Sequence, residues 1–390
     1  MKKFIVLWSM SFAFIVLSLI GMSSTVKGQK QVWPSTRFLS VKPPTAKIQV
    51  AILLDTSSSM DGLIEQAKSR LWNIVNTLTT LKYNGHTPQI EIALYEYGNN
   101  GIKARDYIRQ IMPLSSDLDL LSEKLFALTT WGGSEYCGAV IDKAVKRLDW
   151  GNNDADMKLI YIAGNEPFTQ GSISYKTAIA NALENDICVN TIHCGDADSG
   201  INGMWRDGAI RGKGRFFNID HNARVRYVDT PYDDRISICN QKLNETYLSY
   251  GAVGKNRFQK QAQQDVNAMS ISRSNYAERA VSKTKAVYNN SSWDLVDLAK
   301  NNAEALREIK QSDLPKELQN KSTEELQKAI AIKEAERANI QKEINELAKK
   351  RQEYIDEQTK KGDSTGDDLG KAINESVLAF ANKKGYTVSK

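Results

Sequence analysis

The chain is predicted to be an α/β protein, an open and mostly parallel sheet wound with helices on both faces and followed by an α-helical C-terminal region. Three observations predict this. Residues 48–54 (Ile-Gln-Val-Ala-Ile-Leu-Leu) are a nearly continuous apolar run, as expected of a central parallel strand buried on both faces. From there to about residue 220, strand-like segments alternate with helical stretches of roughly ten to fifteen residues, a pattern that calls for right-handed crossovers. Beyond about Arg226 the strand signal stops and long polar helical runs take over.

The elements follow in order. Residues 63–78 read as a helix, with Leu63, Ala67, Leu71, Ile74 and Leu78 on one stripe. Residues 90–97 alternate as a strand and 107–112 look like its edge neighbour, while 118–128 and 138–148 are helical. Strand 158–163, helix 175–183, strand 187–194 and a short final strand at 215–219 complete the unit. Residues 232–268 are polar with helix-compatible stretches, 291–309 read as a helix, and 315–358 form a long charged helical region. There Leu326, Ile330, Ile340, Ile344, Leu347 and Tyr354 fit a heptad, but Lys333, Arg337 and Arg351 interrupt the seam. Two readings stay open for this region: a helical hairpin packed on 293–306 or 373–380, and a homotypic coiled coil. Residues 361–368 are a flexible hinge before a last short helix. The resulting division is 1–28 leader, 29–46 linker, 47–226 α/β domain, 227–290 polar helical extension, 291–362 helical hairpin or coiled-coil-like region, and 363–390 hinge and terminal helix.

Residues 1–28 have the form of an export signal: Lys2 and Lys3, an uncharged apolar run from Phe4 to Met22, then small residues at Val26 and Gly28. The run is long enough to be kept as an anchor instead. Either way the body is expected outside the cytoplasm, in the periplasm or beyond, free or anchored to the inner membrane. The net charge of +6 falls to +3 without the three lysines of this segment, too mild to argue for nucleic acid or a membrane surface as partner. His86, His193 and His221 contain no pair at helical metal-ligand spacing, which argues against a zinc hydrolase. An exported chain permits disulfides among Cys137, Cys188, Cys194 and Cys239. Cys188 and Cys194 lie in one strand, about 20 Å apart at ~3.3 Å per residue, and cannot bond each other.

Ligands of open α/β sheets bind beyond the carboxyl ends of the strands, which directs attention to Asp55-Thr56-Ser57-Ser58-Ser59 after the first strand. A carboxylate and two hydroxyls on one tight loop offer three hard oxygens on a short arc, as a hard divalent cation prefers. The competing reading is a helix cap, Ser59 or Met60-Asp61 opening the 63–78 helix.

Asp-x-Ser-x-Ser in this position resembles the metal-ion-dependent adhesion site of von Willebrand factor A and integrin I domains. The resemblance covers roughly residues 47–220 and implies a Rossmann-like doubly wound fold with one antiparallel edge strand. It also implies a non-catalytic protein-binding module, in which a divalent cation (Mg²⁺, or Mn²⁺ or Ca²⁺) engages an exposed Asp or Glu of a partner protein. Asp55, Ser57 and Ser59 match the motif. In Trp131-Gly132-Gly133-Ser134-Glu135, Ser134 takes the place of the hydroxyl on the second loop, with Thr129-Thr130 as a fallback. The third loop departs: in Ala163-Gly164-Asn165-Glu166-Pro167, Gly164 stands where an Asp is expected, and Asn165 or Glu166 is left to substitute. Losing that carboxylate is expected to weaken cation binding.

Cys137 and Cys194 both fall at the carboxyl-end face of the sheet and are expected to pair, with Cys188 a buried small apolar residue and Cys239 a competitor. The alternative to a cation-dependent binder is a scaffold with a degenerate, metal-free site acting through its C-terminal helices. A serine hydrolase lacks support, since no Gly-x-Ser-x-Gly elbow occurs. His193 and Cys194, adjacent on a strand, point to opposite faces and make no dyad. The Lys/Glu-rich run 324–361 reads as a solvated helical face.

Overall fold

A computed structural model describes residues 45–361 and 369–389; the export signal, nearly all of the linker and the hinge lie outside these. Strand β1 (Lys47–Asp55) sits at the centre of a six-stranded sheet. It pairs in parallel with β3 (Gln89–Tyr97) on one side and β5 (Met157–Gly164) on the other, and β6 (Ile187–Cys194) and β7 (Lys213–Ile219) extend the sheet in parallel. Strand β4 (Arg109–Ser115) closes the β3 edge and is antiparallel. It runs past Pro113, where the sequence pattern stops, because an edge strand tolerates a missing N–H; its register against β3 is irregular there. A short strand β2 (Leu81–Tyr83) pairs outside the main sheet with β8 (Tyr386–Val388), neither of which the alternation revealed.

Strand alternation sorts the core into two layers. Ile48, Val50 and Leu54 face helices α1 (Asp61–Thr79) and α2 (Leu118–Phe126). Ala51 and Leu53 face α3 (Cys137–Arg147), α4 (Tyr175–Glu184) and Trp205. Two short helices, α5 (Ala197–Asn202) and α6 (Trp205–Arg211), lead into β7. Cys137 belongs to the second layer and Cys194, on the even-numbered face of β6, to the first. The sheet lies between them, so the expected Cys137–Cys194 disulfide does not form; all four cysteines are free and buried. Being at one end of a sheet does not put two side chains on one side of it.

After β7 the chain builds helices α7 (Asp233–Asn244), α8 (Gly251–Ile271), α9 (Arg273–Ser282) and α10 (Leu295–Asn301), three 3₁₀ turns, then α11 (Thr323–Lys361). The single helix expected over 291–309 is broken: Asp294 caps α10 by accepting from the Asp297 N–H, and Asn302 turns extended before the 3₁₀ turn Ala303–Glu308. Helix α11 starts at Thr323 because Ser322 and Glu325 form a reciprocal capping box, N–H to side chain in both directions. Its seam is covered by this chain's own α7, α9 and α10. The arginines that interrupt the heptad are buried ion-pair anchors, Arg337 on Asp294 (2.6 Å) and Asp297 (2.9 Å), Arg351 on Asp233 (2.8 Å). The last helix, α12 (Leu369–Lys383), returns to the sheet beside α1, where the Tyr161 hydroxyl meets Ser376. Buried Gln66 ties three segments together: its amide donates to the carbonyls of Asp220 and Ala223 and accepts from the Leu369 N–H. Among the described residues no helix is long and apolar enough to cross a membrane.

The helical layer is bolted to the sheet unit through Arg279, fully buried on α9, which pairs with Asp265 of α8 and Asp119 of α2 and lies 4.6 Å from the Trp72 ring of α1. Burial by itself would raise the Asp265 pKa, but Lys283 and Arg279 overcome it and hold the carboxyl well below the usual carboxylate range. A depressed folded-state pKa gives stability that is present above the unfolded value of about 3.9 and lost as pH falls below it. Asp265→Asn is therefore expected to cost about 3–5 kcal/mol at pH 7 by urea unfolding, and the gap to wild type should narrow progressively as pH falls below about 4. A gap independent of pH would contradict this ion cluster.

Candidate functional site

The carboxyl end of β1 delivers Asp55 to a crevice between β3 and β5, with its side chain fully buried. The backbone turns at once: the Thr56 N–H donates to the Tyr97 carbonyl (2.8 Å) and the Ser57 N–H to Asp55 Oδ1 (2.7 Å). This Asx-type turn brings Ser57 Oγ to 3.2 Å from Ser59 Oγ. Helix α1 then starts with Met60 at its N-cap position and no side-chain cap, so these hydroxyls are not engaged as helix caps. The second loop is laced to the first, the Ser58 N–H donating to the Gly132 carbonyl and the Gly132 N–H to Ser58 Oγ, both at 3.0 Å. From the third loop, Asn165 Nδ2 donates to Ser59 Oγ (3.2 Å), and Asn165 Oδ1 is buried without a partner.

The sequence-predicted residues are thus brought to one rim with different degrees of involvement. Asp55, Ser57, Ser59 and Asn165 form one polar cluster. Ser134 is held beside it through its N–H, which donates to Asn100 Oδ1 (3.1 Å). Glu166 turns its carboxylate to the Gln170 amide (3.1 Å), while its backbone N–H and carbonyl brace the loop. Thr130 of the fallback pair donates to Asp61 instead. His193 spends its ring nitrogens on Asn218 Oδ1 (2.9 Å) and the Asn165 carbonyl (3.3 Å).

Three residues here escaped the sequence reading. Glu135 is 1% exposed and aimed at Asp55. Gly98 has φ +81°, and a Cβ on it would lie 2.5 Å from Asp55 Oδ1 and 2.9 Å from Glu135 Cγ, so the two acidic side chains overhang one glycine. Tyr97 donates its hydroxyl to the Ala163 carbonyl (2.9 Å) and fills the space beside Gly164. The available signal for Glu135 was local: no Lys or Arg occurs from residue 125 to 142, so a buried acid in that loop has no nearby counter-charge in sequence.

The electrostatics follow from burial. Burial first, and the facing Glu135 second, push the Asp55 pKa well above its ordinary value, and burial raises that of Glu135 as well. Asp55 Oδ2 has no hydrogen-bond partner, and among the described residues no Lys, Arg or His forms an ion pair with either acid. Burial likewise raises the Cys137 and Cys194 thiols, which stay protonated. Two desolvated carboxyls with hydroxyl neighbours and no counter-charge are satisfied by a proton or by a cation. The donor set is all oxygen, suited to Mg²⁺, Ca²⁺ or Mn²⁺ and not to a soft metal.

The strand order 4-3-1-5-6-7 with an antiparallel edge, and a polar rim at the carboxyl end of the central strand, completes the comparison. The chain resembles von Willebrand factor A domains. The VWA domain of SpRpn10 is 19% identical, covering 44% of this chain and 87% of that one, with a TM-score of 0.33. A von Willebrand factor type A structure from Catenulispora acidiphila is 15% identical over 45% of this chain and 39% of that one, TM-score 0.33. Proximal thread matrix protein 1 from the mussel byssus, with a zinc-occupied MIDAS motif, is 13% identical over 45% of this chain, TM-score 0.34. The match spans 42% of that mussel protein's length. No family model matches the chain, and no curated protein matches it in sequence.

Gly164 is required here for space. A Cβ there would sit 2.4 Å from the Tyr97 hydroxyl oxygen and 3.1 Å from Asp55 Oδ2. Gly164→Ala is expected to destabilise the fold by about 1–3 kcal/mol, and Tyr97→Phe in the same chain should recover part of it, as read by urea unfolding. Equal losses with and without the hydroxyl would contradict this packing.

Proposed function

We propose that this chain is a non-catalytic protein-binding module that uses a divalent cation, held at the carboxyl end of its central strand, to engage an exposed Asp or Glu of a partner protein. The observation that carries the reading is the buried Asp55 carboxylate with an unpartnered Oδ2, beside two hydroxyls 3.2 Å apart. Asp55, Ser57 and Ser59 would hold the ion, with Ser134, Asn165 and Glu166 at the rim to contact it directly or through water. When bound, the ion supplies a positive centre with coordination left over for a carboxylate from outside.

The residues' own contributions follow from their placement. Asp55 offers a carboxylate in a desolvated position, negative once a cation takes the place of its proton, and its Oδ1 stays fixed by the Ser57 N–H. Ser57 and Ser59 add neutral oxygens, so the site attracts a cation without cancelling its charge. Asn165 orients Ser59 through its amide. The seryl hydroxyls face each other and Asn165 rather than an imidazole, which favours binding over acyl chemistry. The near-neutral charge of the exported chain favours a protein partner over nucleic acid, and the apolar run from Phe4 to Met22 favours a place in the cell envelope.

The test is thermal unfolding of the full chain with EDTA, Mg²⁺, Mn²⁺ or Ca²⁺. A ligand at about 100 times its Kd stabilises by about 2.7 kcal/mol, so wild type should gain several degrees in Tm with at least one ion and Asp55→Ala none. No shift with any ion would refute the reading and leave the scaffold, working through its C-terminal helices, as the better account.

A further inference from the structure

The third loop carries glycine where the adhesion-site pattern needs a second carboxylate, yet the crevice does not lack one. We propose that Glu135, from the second loop, supplies the second carboxylate of the cation site, the third-loop position having been closed by Tyr97. This rests on the cation-site reading above and specifies its ligands.

Two places adjoin the Asp55 carboxylate, one beside Oδ2 at Gly164 and one beside Oδ1 above Gly98. At Gly164 the Tyr97 hydroxyl stands 2.4 Å from where a Cβ would be, and it is fixed there by donating to the Ala163 carbonyl. No acidic side chain fits. At the other place, above Gly98, the Glu135 side chain reaches in, buried to 1% exposure, with its Cγ and Asp55 Oδ1 approaching the same point. Glu135 is positioned on purpose-built supports: its Oε2 accepts from the Glu166 N–H (3.2 Å), and its own N–H donates to Gln170 Oε1 (3.4 Å). The first of these bonds ties the second loop to the third, so the residue that carries the charge is anchored by the loop that lost it.

The exchange conserves the property that matters for a cation. One carboxylate is lost from the third loop and one is gained from the second, so the charge of the oxygen set is unchanged. A buried acid facing a buried acid is an expensive arrangement to keep for packing alone. An unpartnered Asp55 Oδ2 and an unpartnered Asn165 Oδ1 remain in the same crevice, both acceptors without donors. Buried acceptors left without a donor are complementary to a positive ion. The weakening expected from the glycine at 164 is thereby offset within the same crevice.

The experiment is Mn²⁺ titration of the full chain by calorimetry, with Mn²⁺-dependent Tm shift as second readout, on four proteins: wild type, Asp55→Ala, Glu135→Gln, and Glu135→Gln combined with Tyr97→Phe and Gly164→Asp. The glutamine keeps the acceptor for the Glu166 N–H and removes a like charge, so Glu135→Gln should fold, with a metal-free Tm no lower than that of wild type. Its Mn²⁺ affinity is expected to fall by more than about tenfold, and the triple variant, which moves the carboxylate to the third loop, should regain most of it. Wild-type affinity in Glu135→Gln alongside lost affinity in Asp55→Ala would overturn the assignment of Glu135 and leave the cation site standing. A folded triple variant that regains nothing would also overturn it. No Mn²⁺ heat or Tm shift in wild type would overturn both.

Discussion

Asp55 and Glu135 face each other, both buried, with no Lys, Arg or His among the described residues paired to either, and the rest of the rim is arranged around that fact. Taking one carboxylate out of water is costly, and taking two to the same place is more so unless a proton or a cation joins them. Gly98, with its positive φ, exists to let both side chains overhang the strand end. Gly164 and Tyr97 close the opposite side, and the loops that carry Ser58, Gly132, Asn165 and Glu166 are cross-tied by backbone and side-chain hydrogen bonds so that the oxygens keep their positions. A site of this kind is preorganised, since the cost of gathering its like charges is met by folding and not by the arriving ion.

The α/β half was legible in the sequence because its signals are strong ones. A strand buried on both faces must be apolar throughout, as residues 48–54 are, and alternating strands and helices admit few topologies. The Asp-Ser-Ser cluster was legible for a local reason: the turn that places the hydroxyls is made by consecutive residues. Glu135 was not legible, because what makes it part of the site is a tertiary approach across Gly98, and the lack of Lys or Arg in its loop does not by itself announce burial. The Cys137–Cys194 pairing failed on a different point. Both residues are at the right end of the sheet, but the parity of β6 sends Cys194 to the layer opposite Cys137.

In the helical half, composition misled in an instructive way. Arg337 and Arg351 read as breaks in an apolar seam and are its buried anchors, each satisfied by aspartates from other helices. Single-chain patterns cannot distinguish a charge that spoils a seam from one that is met by a partner 40 or more residues away. These ion pairs fasten α11 to α7 and α10, Arg279 fastens the helical layer to α1 and α2, and α12 returns to the same face of the sheet. Helices α7, α9 and α12 thus share a hydrophobic core with the α1 face of the sheet.

The most direct measurement is anomalous diffraction from crystals of the protein grown or soaked in manganese. The account requires one strong peak in the crevice, within coordination distance of Asp55, Ser57 and Glu135. A well-ordered crevice with no anomalous density, the two carboxyls sharing a hydrogen bond instead, would contradict it.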